Sequence, residues 1–127
     1  MNLLLDTHII IWFANGDEKL TGKIKEQISN PENNIVCSQV SLFEIAIKTN
    51  LGKLDFNISF DELEKLLIKN NINIILPSVQ DYNIYRNLPL HHKDPFDRLI
   101  ISQAITHNYT IVTKDGVFLL YDVAVIM

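Results

Sequence analysis

The sequence predicts a three-layer α/β/α fold with a mainly parallel central sheet, a flavodoxin-like arrangement of layers. Two observations predict it. The first is that short apolar runs such as Leu3–Leu5 show no polar alternation, which is typical of strands buried on both faces of a parallel sheet. The second is that these runs alternate with stretches of helical spacing, and such alternation favours parallel pairing through right-handed crossovers.

Composition indicates one globular domain over residues 1–127. Hydrophobic residues make up 47% and charged residues 20% of the chain, which excludes a disordered protein. The net charge of −4 argues against binding nucleic acid by charge alone, although bound cations would reverse the charge of an acidic site. Cys37 is the only cysteine and no signal peptide or membrane segment is visible, so we expect a cytoplasmic protein.

The first half of the chain contains two predicted strands and three predicted helices. Thr7–Ala14 follows the first strand as a short apolar helix, and the Asn-Gly pair after it is a strong stop signal. A second helix is predicted from apolar residues at helical spacing: Leu20, Ile24 and Ile28. A strand over Asn34–Cys37 leads into a helix over Gln39–Asn50, for which Ser38 is the expected N-cap.

The second half repeats this alternation. Three further strands complete the predicted sheet: Ile72–Leu76, Thr110–Thr113 and, at the sheet edge, the run Val123–Met127. Three helices are predicted from their N-caps: Ser59, in a capping box with Glu62, for a helix to Lys69; Ser78, for a helix to Asn87; and Asp94, with Pro95 at the first helical position.

Four acidic residues fall where one edge of this sheet would bring them together. Asp6 and Asp115 follow the first and fourth strands, and Glu44 and Asp97 lie in the first two turns of helices that begin at the same edge. The carboxyl ends of parallel strands open on one side, where α/β proteins bind ligands. Clustered carboxylates repel each other without a cation, and their oxygens are the ligands that Mg²⁺ and Mn²⁺ prefer.

Each acid also has a structural interpretation, and these alternatives stay open at this point. Asp6 would cap the next helix, Asp115 would form an Asp-Gly turn, and Asp97 would gain from the dipole of its helix. Glu44 is the hardest to explain structurally, because an unpaired carboxylate between two apolar residues is costly.

A magnesium ion held by carboxylates suits the hydrolysis of phosphodiester bonds. The ion lowers the pKa of a bound water and stabilises charge on the leaving oxygen. The sequence offers no covalent nucleophile, because Cys37 fits the core and a GxSxG motif is absent. Metal-activated water is therefore the expected nucleophile.

Five motifs in order carry a resemblance to a known family: Leu4-Leu5-Asp6-Thr7-His8, Phe43-Glu44-Ile45-Ala46-Ile47-Lys48, Leu51-Gly52-Lys53-Leu54, His91-His92-Lys93-Asp94-Pro95-Phe96-Asp97-Arg98-Leu99 and Thr113-Lys114-Asp115. The ordered set, which covers nearly the whole chain, resembles PIN-domain proteins of the VapC toxin type. The resemblance implies a Mg²⁺-dependent endoribonuclease, the toxin of a type II toxin–antitoxin pair. It also implies a homodimer and a cognate VapB-like antitoxin.

The resemblance also assigns roles to individual residues. It implies that the catalytic and metal-binding acids are the four described above: Asp6, Glu44, Asp97 and Asp115. Thr7 and Thr113 match the hydroxyls that support this cluster. Arg98 and Lys93 are candidate RNA contacts; an ion pair within the protein is an equal alternative for Arg98, and an exposed loop is the alternative for Lys93.

Three other functions compete with this interpretation. A haloacid-dehalogenase-like phosphatase also begins with an acid after a strand, but it needs a second aspartate where this chain has His8. A receiver-like signalling domain would use Lys114 but would leave Glu44 unexplained. A catalytically silent PIN fold that only binds RNA or a protein partner is the third alternative.

Overall fold

The computed structural model describes every residue from Met1 to Met127 and contains one five-stranded sheet in which all neighbouring strands are parallel. The strands are β1 (Asn2–Leu5), β2 (Asn34–Ser38), β3 (Ile72–Ile75), β4 (Thr110–Val112) and β5 (Val125–Ile126). Their spatial order is β3-β2-β1-β4-β5. The predicted α/β/α fold with a parallel sheet is confirmed.

Six α-helices and one short 3₁₀ helix surround the sheet. They are α1 (Thr7–Asn15), α2 (Gly22–Ser29), α3 (Gln39–Asn50), α4 (Phe60–Lys69), α5 (Val79–Arg86), α6 (Pro95–His107) and the 3₁₀ helix Gly116–Leu120. The 3₁₀ helix is the element that the sequence did not predict. It fills part of the connection to β5, which is shorter than the predicted strand Val123–Met127.

The central strand is buried on both faces, as its apolar run predicts. Leu3 and Leu5 pack into a core with residues of α1, α2 and α4, whereas Leu4 points to a second core with residues of α6. All three leucines are at most 1% exposed. Helices therefore cover both sides of β1, and only its carboxyl end remains open for polar groups.

The predicted N-caps are present, and they fix where helices begin. Side-chain oxygens accept backbone N–H groups at four starts: Ser38 before α3, Ser59 before α4, Ser78 before α5 and Asp94 before α6. Asp94 accepts the N–H groups of Phe96 and Asp97 at 2.9 and 3.0 Å, so the first turn of α6 has a fixed orientation.

The strand order creates a switch point between β1 and β4. From β1 the chain crosses to β2 and β3 on one side, and β4 and β5 lie on the other. Ligands of open α/β sheets bind beyond the carboxyl ends at such a reversal. This order differs from the 2-1-3-4-5 order of flavodoxin-like sheets such as the receiver domain. The likeness to that group is therefore limited to the layers.

None of the six α-helices combines the length and hydrophobicity that crossing a bilayer requires.

Candidate active site at the carboxyl edge of the sheet

Asp6 lies at the switch point, directly after β1, and its side chain is 1% exposed. The residue occupies the N-cap position of α1, but its carboxylate makes no capping hydrogen bond, so the predicted structural alternative does not hold. Instead, Oδ2 accepts a hydrogen bond of 2.9 Å from Oγ1 of Thr113, just after β4. Oδ1 is buried without a partner in the protein. A buried carboxylate with one free oxygen requires a positively charged or hydrogen-donating ligand.

Glu44 is the second buried carboxylate of this edge. It lies in the second turn of α3 and is 1% exposed. Its Oε2 is 2.6 Å from Nζ of Lys48, one turn further along the helix, and this contact raises the pKa of the lysine. Oε1 is buried and has no partner. Like Asp6, Glu44 therefore offers one unpaired oxygen.

Asp97 links the two buried acids to α6. Its pKa is raised from 3.8 to about 8, first by burial and then by the charges of Asp94, Asp6, Glu44 and Asp115, in that order. Repulsion of this kind requires the carboxylates to share one region of low dielectric. Asp97 also lies 3.2 Å from His92, through Oδ2 and the ring nitrogen Nε2. The structure thus brings three of the predicted acids into a shared electrostatic neighbourhood.

Asp115 differs from the other three acids because it is exposed. Its Oδ1 accepts the N–H of Val117 at 3.0 Å and so caps the 3₁₀ helix. The predicted turn interpretation is therefore correct for one of its oxygens. The residue nevertheless faces the site, since it lines a cavity of about 330 Å³ together with Asp6, His8 and Lys114.

The two threonines that the sequence singled out have different partners. Oγ1 of Thr113 donates to Asp6 and accepts the backbone N–H of Asp115 at 3.0 Å. Oγ1 of Thr7 lies 2.8 Å from Oγ of Ser41, so it joins α1 to α3 rather than contacting an acid. Thr113 therefore contacts Asp6 and Asp115 directly, whereas Thr7 ties α1 to α3, the helix that carries Glu44.

Arg98 points into the protein and is 4% exposed. Its guanidinium donates to three backbone carbonyls in the preceding loop and stacks on the ring of Tyr85 at 5.2 Å. These contacts leave it no open face toward an RNA phosphate, and its hydrogen-bond partners are carbonyls and the hydroxyl of Tyr121 rather than the acid of the alternative interpretation. Lys93 is exposed beside the site, as an RNA contact would need to be.

The fit of this site to a metal ion can be judged from the carboxylate oxygens that have no partner in the protein. Oδ1 of Asp6 and Oε1 of Glu44 are hard oxygen donors, buried and unsatisfied. Such donors fit Mg²⁺ or Mn²⁺. As the side chains stand, no three acidic, imidazole or thiol groups are placed as ligands of one ion. Glu44 and Asp97 are instead engaged by Lys48 and His92.

Three residues contact the candidate site but were not among the predicted site residues: Lys48, His92 and Tyr121. Lys48 lies four positions after Glu44, and this helical spacing was the available signal. The contact of His92 with Tyr121 joins residues 29 positions apart, for which a single sequence contains no signal.

Comparison with known proteins identifies the family of this chain. The PIN domain family model matches residues 3–124. Ribonuclease VapC22 of Mycobacterium tuberculosis is 30% identical over 115 residues, which cover 89% of this chain and 86% of the relative.

Solved structures of other proteins share the fold of this chain. One is VapBC2 from Rickettsia felis, bound to a DNA fragment from its promoter. It has a TM-score of 0.76 and 22% identity, with 99% of this chain and 98% of the other covered. A toxin–antitoxin complex from Klebsiella pneumoniae has a TM-score of 0.66 and 18% identity, with coverages of 98% and 96%.

Proposed function

This chain belongs to the PIN-domain family, and from that premise we propose that it is a VapC-type endoribonuclease that requires Mg²⁺. The observation that carries the proposal is the pair of buried, unpaired oxygens on Asp6 and Glu44 at the switch point of the sheet. Asp81 also has a buried, unpaired oxygen, but it lies alone in the capping box of α5, whereas Asp6 and Glu44 share one edge of the sheet. The curated relative named as a ribonuclease supports the choice of RNA as substrate.

The four acids would hold the ion. Asp6 and Glu44 would contribute their unpaired oxygens, Asp97 would join them from α6, and Asp115 would approach from the open side of the cavity. A bound Mg²⁺ supplies a water of lowered pKa and neutralises charge on the phosphate. Mn²⁺ has the same preference for oxygen and would substitute for it.

The remaining site residues would orient the acids and the substrate. Thr113 keeps the carboxylate of Asp6 in place through its hydroxyl. Lys48 holds Oε2 of Glu44 and leaves Oε1 unpaired. Lys93 and Lys114 are exposed beside the acids, where their ammonium groups can approach the RNA backbone. Together they offset part of the repulsion between RNA and a chain of net charge −4.

The proposed function includes protein partners. We assign to the chain a VapB-like antitoxin and a second copy of itself, in line with the toxin–antitoxin complex among its structural neighbours. An apolar groove of about 780 Å³ between α3, α5 and α6 supports such contacts, since Phe43 in it is 63% exposed. Light scattering on the purified chain measures how many copies associate. Co-purification with the protein encoded by a neighbouring small reading frame tests whether that protein is the antitoxin.

Cleavage of RNA by the purified chain tests the enzymatic proposal. We expect cleavage with Mg²⁺ or Mn²⁺, none with EDTA, and none from the Asp6→Asn or Glu44→Gln variants. Asp55→Asn is the matched control, because Asp55 is an exposed acid outside the site. If the wild-type chain binds RNA but does not cut it with any divalent ion, the silent PIN-fold alternative is correct.

A further inference from the structure

A network of hydrogen-bonded side chains at the loop before α6 lies outside the acid cluster. The hydroxyl oxygen of Tyr121 lies at its centre, and the residue is 6% exposed. Arg98 donates to this oxygen from its NH1 group at 3.0 Å, and the backbone N–H of His92 donates to it at 3.3 Å. The ring nitrogen Nδ1 of His92 lies 2.7 Å from the same oxygen.

These contacts fix the direction of each hydrogen bond. A guanidinium and a backbone amide can only donate, so the Tyr121 oxygen accepts from both. Its own proton is then directed to Nδ1 of His92, which must be the acceptor. A neutral imidazole carries one proton, and it therefore lies on Nε2. Nε2 is 3.2 Å from Oδ2 of Asp97, so His92 donates to this carboxyl group.

Arg98, at the start of this series of hydrogen bonds, is held rigidly. Arg98 also donates to the carbonyls of Pro89, Leu88 and His92 at 2.7, 3.2 and 3.3 Å. Because its guanidinium keeps its charge in proteins, it always acts as a donor. The ring of His91 packs edge-on against Tyr121, with centroids 4.9 Å apart, and restricts the tyrosine ring. The direction of the hydrogen bonds therefore follows from groups that cannot reverse it.

We propose that His92 is a positioning residue for Asp97. Arg98 and Tyr121 hold its imidazole as the Nε2–H tautomer, and that N–H holds Oδ2 of the carboxyl group. No protein group forms a hydrogen bond with the other oxygen, Oδ1, which is then the oxygen presented to the cation. This inference rests on the proposed function for its purpose, but the hydrogen-bond chain exists without a metal ion.

The physical need for such a residue comes from the charges around Asp97. Four other carboxylates repel it, so without a donor it would turn toward solvent. Outer partners that orient a metal-binding side chain typically change metal affinity by about 10- to 100-fold. The side chain of His92 is 18% exposed and that of Asp97 is 14% exposed, so the contact between them is largely shielded from solvent.

The tautomer of His92 is the first test, and it needs no metal. Long-range ¹H–¹⁵N NMR spectra of the EDTA-treated chain at neutral pH distinguish the two tautomers, with His92 assigned by the loss of its signals in His92→Gln. We expect the Nε2–H form in the wild type and a shift toward a tautomer mixture in Tyr121→Phe. An Nδ1–H form or a doubly protonated ring in the wild type would overturn the inference.

Metal affinity is the second test, measured by calorimetry with Mn²⁺ alone. We expect His92→Leu to bind about 10- to 100-fold more weakly. His92→Gln should recover most of this loss, because its amide N–H can replace Nε2–H. His107→Leu is the control, since His107 lies at the opposite end of α6. A folded His92→Leu chain with wild-type affinity would refute positioning by His92.

The two tests separate this inference from the proposed function. A wild-type protein that binds no Mn²⁺ contradicts the proposed metal site. The tautomer of His92 in the metal-free protein still decides whether Tyr121 donates to His92 and His92 donates to Asp97. If His92→Leu does not fold, as judged by circular dichroism, Tyr121→Phe takes its place in the calorimetry. That variant removes one hydroxyl and is expected to weaken Mn²⁺ binding in the same direction.

Discussion

The hydroxyl of Thr113 donates a hydrogen bond of 2.9 Å to the carboxylate of Asp6, a residue 107 positions earlier in the chain. The two residues follow neighbouring parallel strands, β4 and β1, at the point where the strand order reverses. This bond directly connects the end of β4 to the end of β1 within the candidate site. It fixes Oδ2 of Asp6 and leaves Oδ1 without a partner.

Replacing Thr113 with valine should weaken metal binding by about 10- to 100-fold, because it removes a group that orients a ligand without changing the side-chain shape. Calorimetric titration with Mn²⁺ measures the effect. Thr113→Ser keeps the hydroxyl and should stay near the wild-type affinity. Equal affinities for the valine and wild-type chains would show that the bond does not prepare the site.

The Asp97→Asn variant should lose RNA cleavage while remaining folded. The carboxyl group of Asp97 is buried among like charges, and a site of repelling acids lowers the stability of the metal-free fold. Gel assays of RNA cleavage and urea unfolding of the same preparations test both parts. RNA cutting at the wild-type rate would remove Asp97 from the site.

Stability of the metal-free protein should fall as pH rises from about 4 to about 8. The pKa of Asp97 is 3.8 in its ordinary state and about 8 in the folded chain, so the folded state binds this proton more tightly. Stability falls with pH wherever the folded state holds more protons. Urea unfolding in the presence of EDTA, repeated at several pH values, should show this decline in the wild type and a smaller one in Asp97→Asn. Identical profiles would contradict the raised pKa.

Asp94→Ala should mainly reduce stability, by about 0.5–2 kcal/mol for a lost N-cap. Asp94 accepts the N–H groups of Phe96 and Asp97, and both lose their acceptor in the variant. Urea unfolding measures the stability, and RNA cleavage is measured in parallel. A large loss of cleavage with unchanged stability would mean that Asp94 acts in the site rather than as a cap.

Arg98→Met should destabilise the chain by about 1–3 kcal/mol, because three carbonyls, one of them in a buried hydrogen bond, lose their donor. The carbonyls belong to Leu88, Pro89 and His92, in the loop that Arg98 ties to α6. Arg86→Met is the control, since Arg86 is exposed and its loss should change stability by less than about 0.5 kcal/mol. Similar denaturant midpoints for both variants would contradict a structural role for Arg98.

Local signals explain which parts of this structure the sequence could predict. The run Leu3–Leu5 and the caps at Ser59 and Ser78 depend on neighbouring residues, and the structure confirms them. The 3₁₀ helix after Asp115 was not predicted, because its apolar residues have no distinctive period.

The site was predictable in outline and not in its contacts. Strand ends placed Asp6 correctly, and the burial cost of Glu44 pointed to a special role. The inward direction of Arg98 and the contact of His92 with Tyr121 depend on how the loop before α6 packs against the end of the chain. A sequence contains no local pattern for such packing.

A crystal of the chain soaked in Mn²⁺, with anomalous diffraction recorded at the manganese absorption edge, shows whether these acids hold a metal ion. We expect an anomalous peak within coordination distance of Asp6, with oxygens of Glu44 or Asp97 in the same shell. A peak elsewhere on the protein, or none at saturating Mn²⁺, would contradict it.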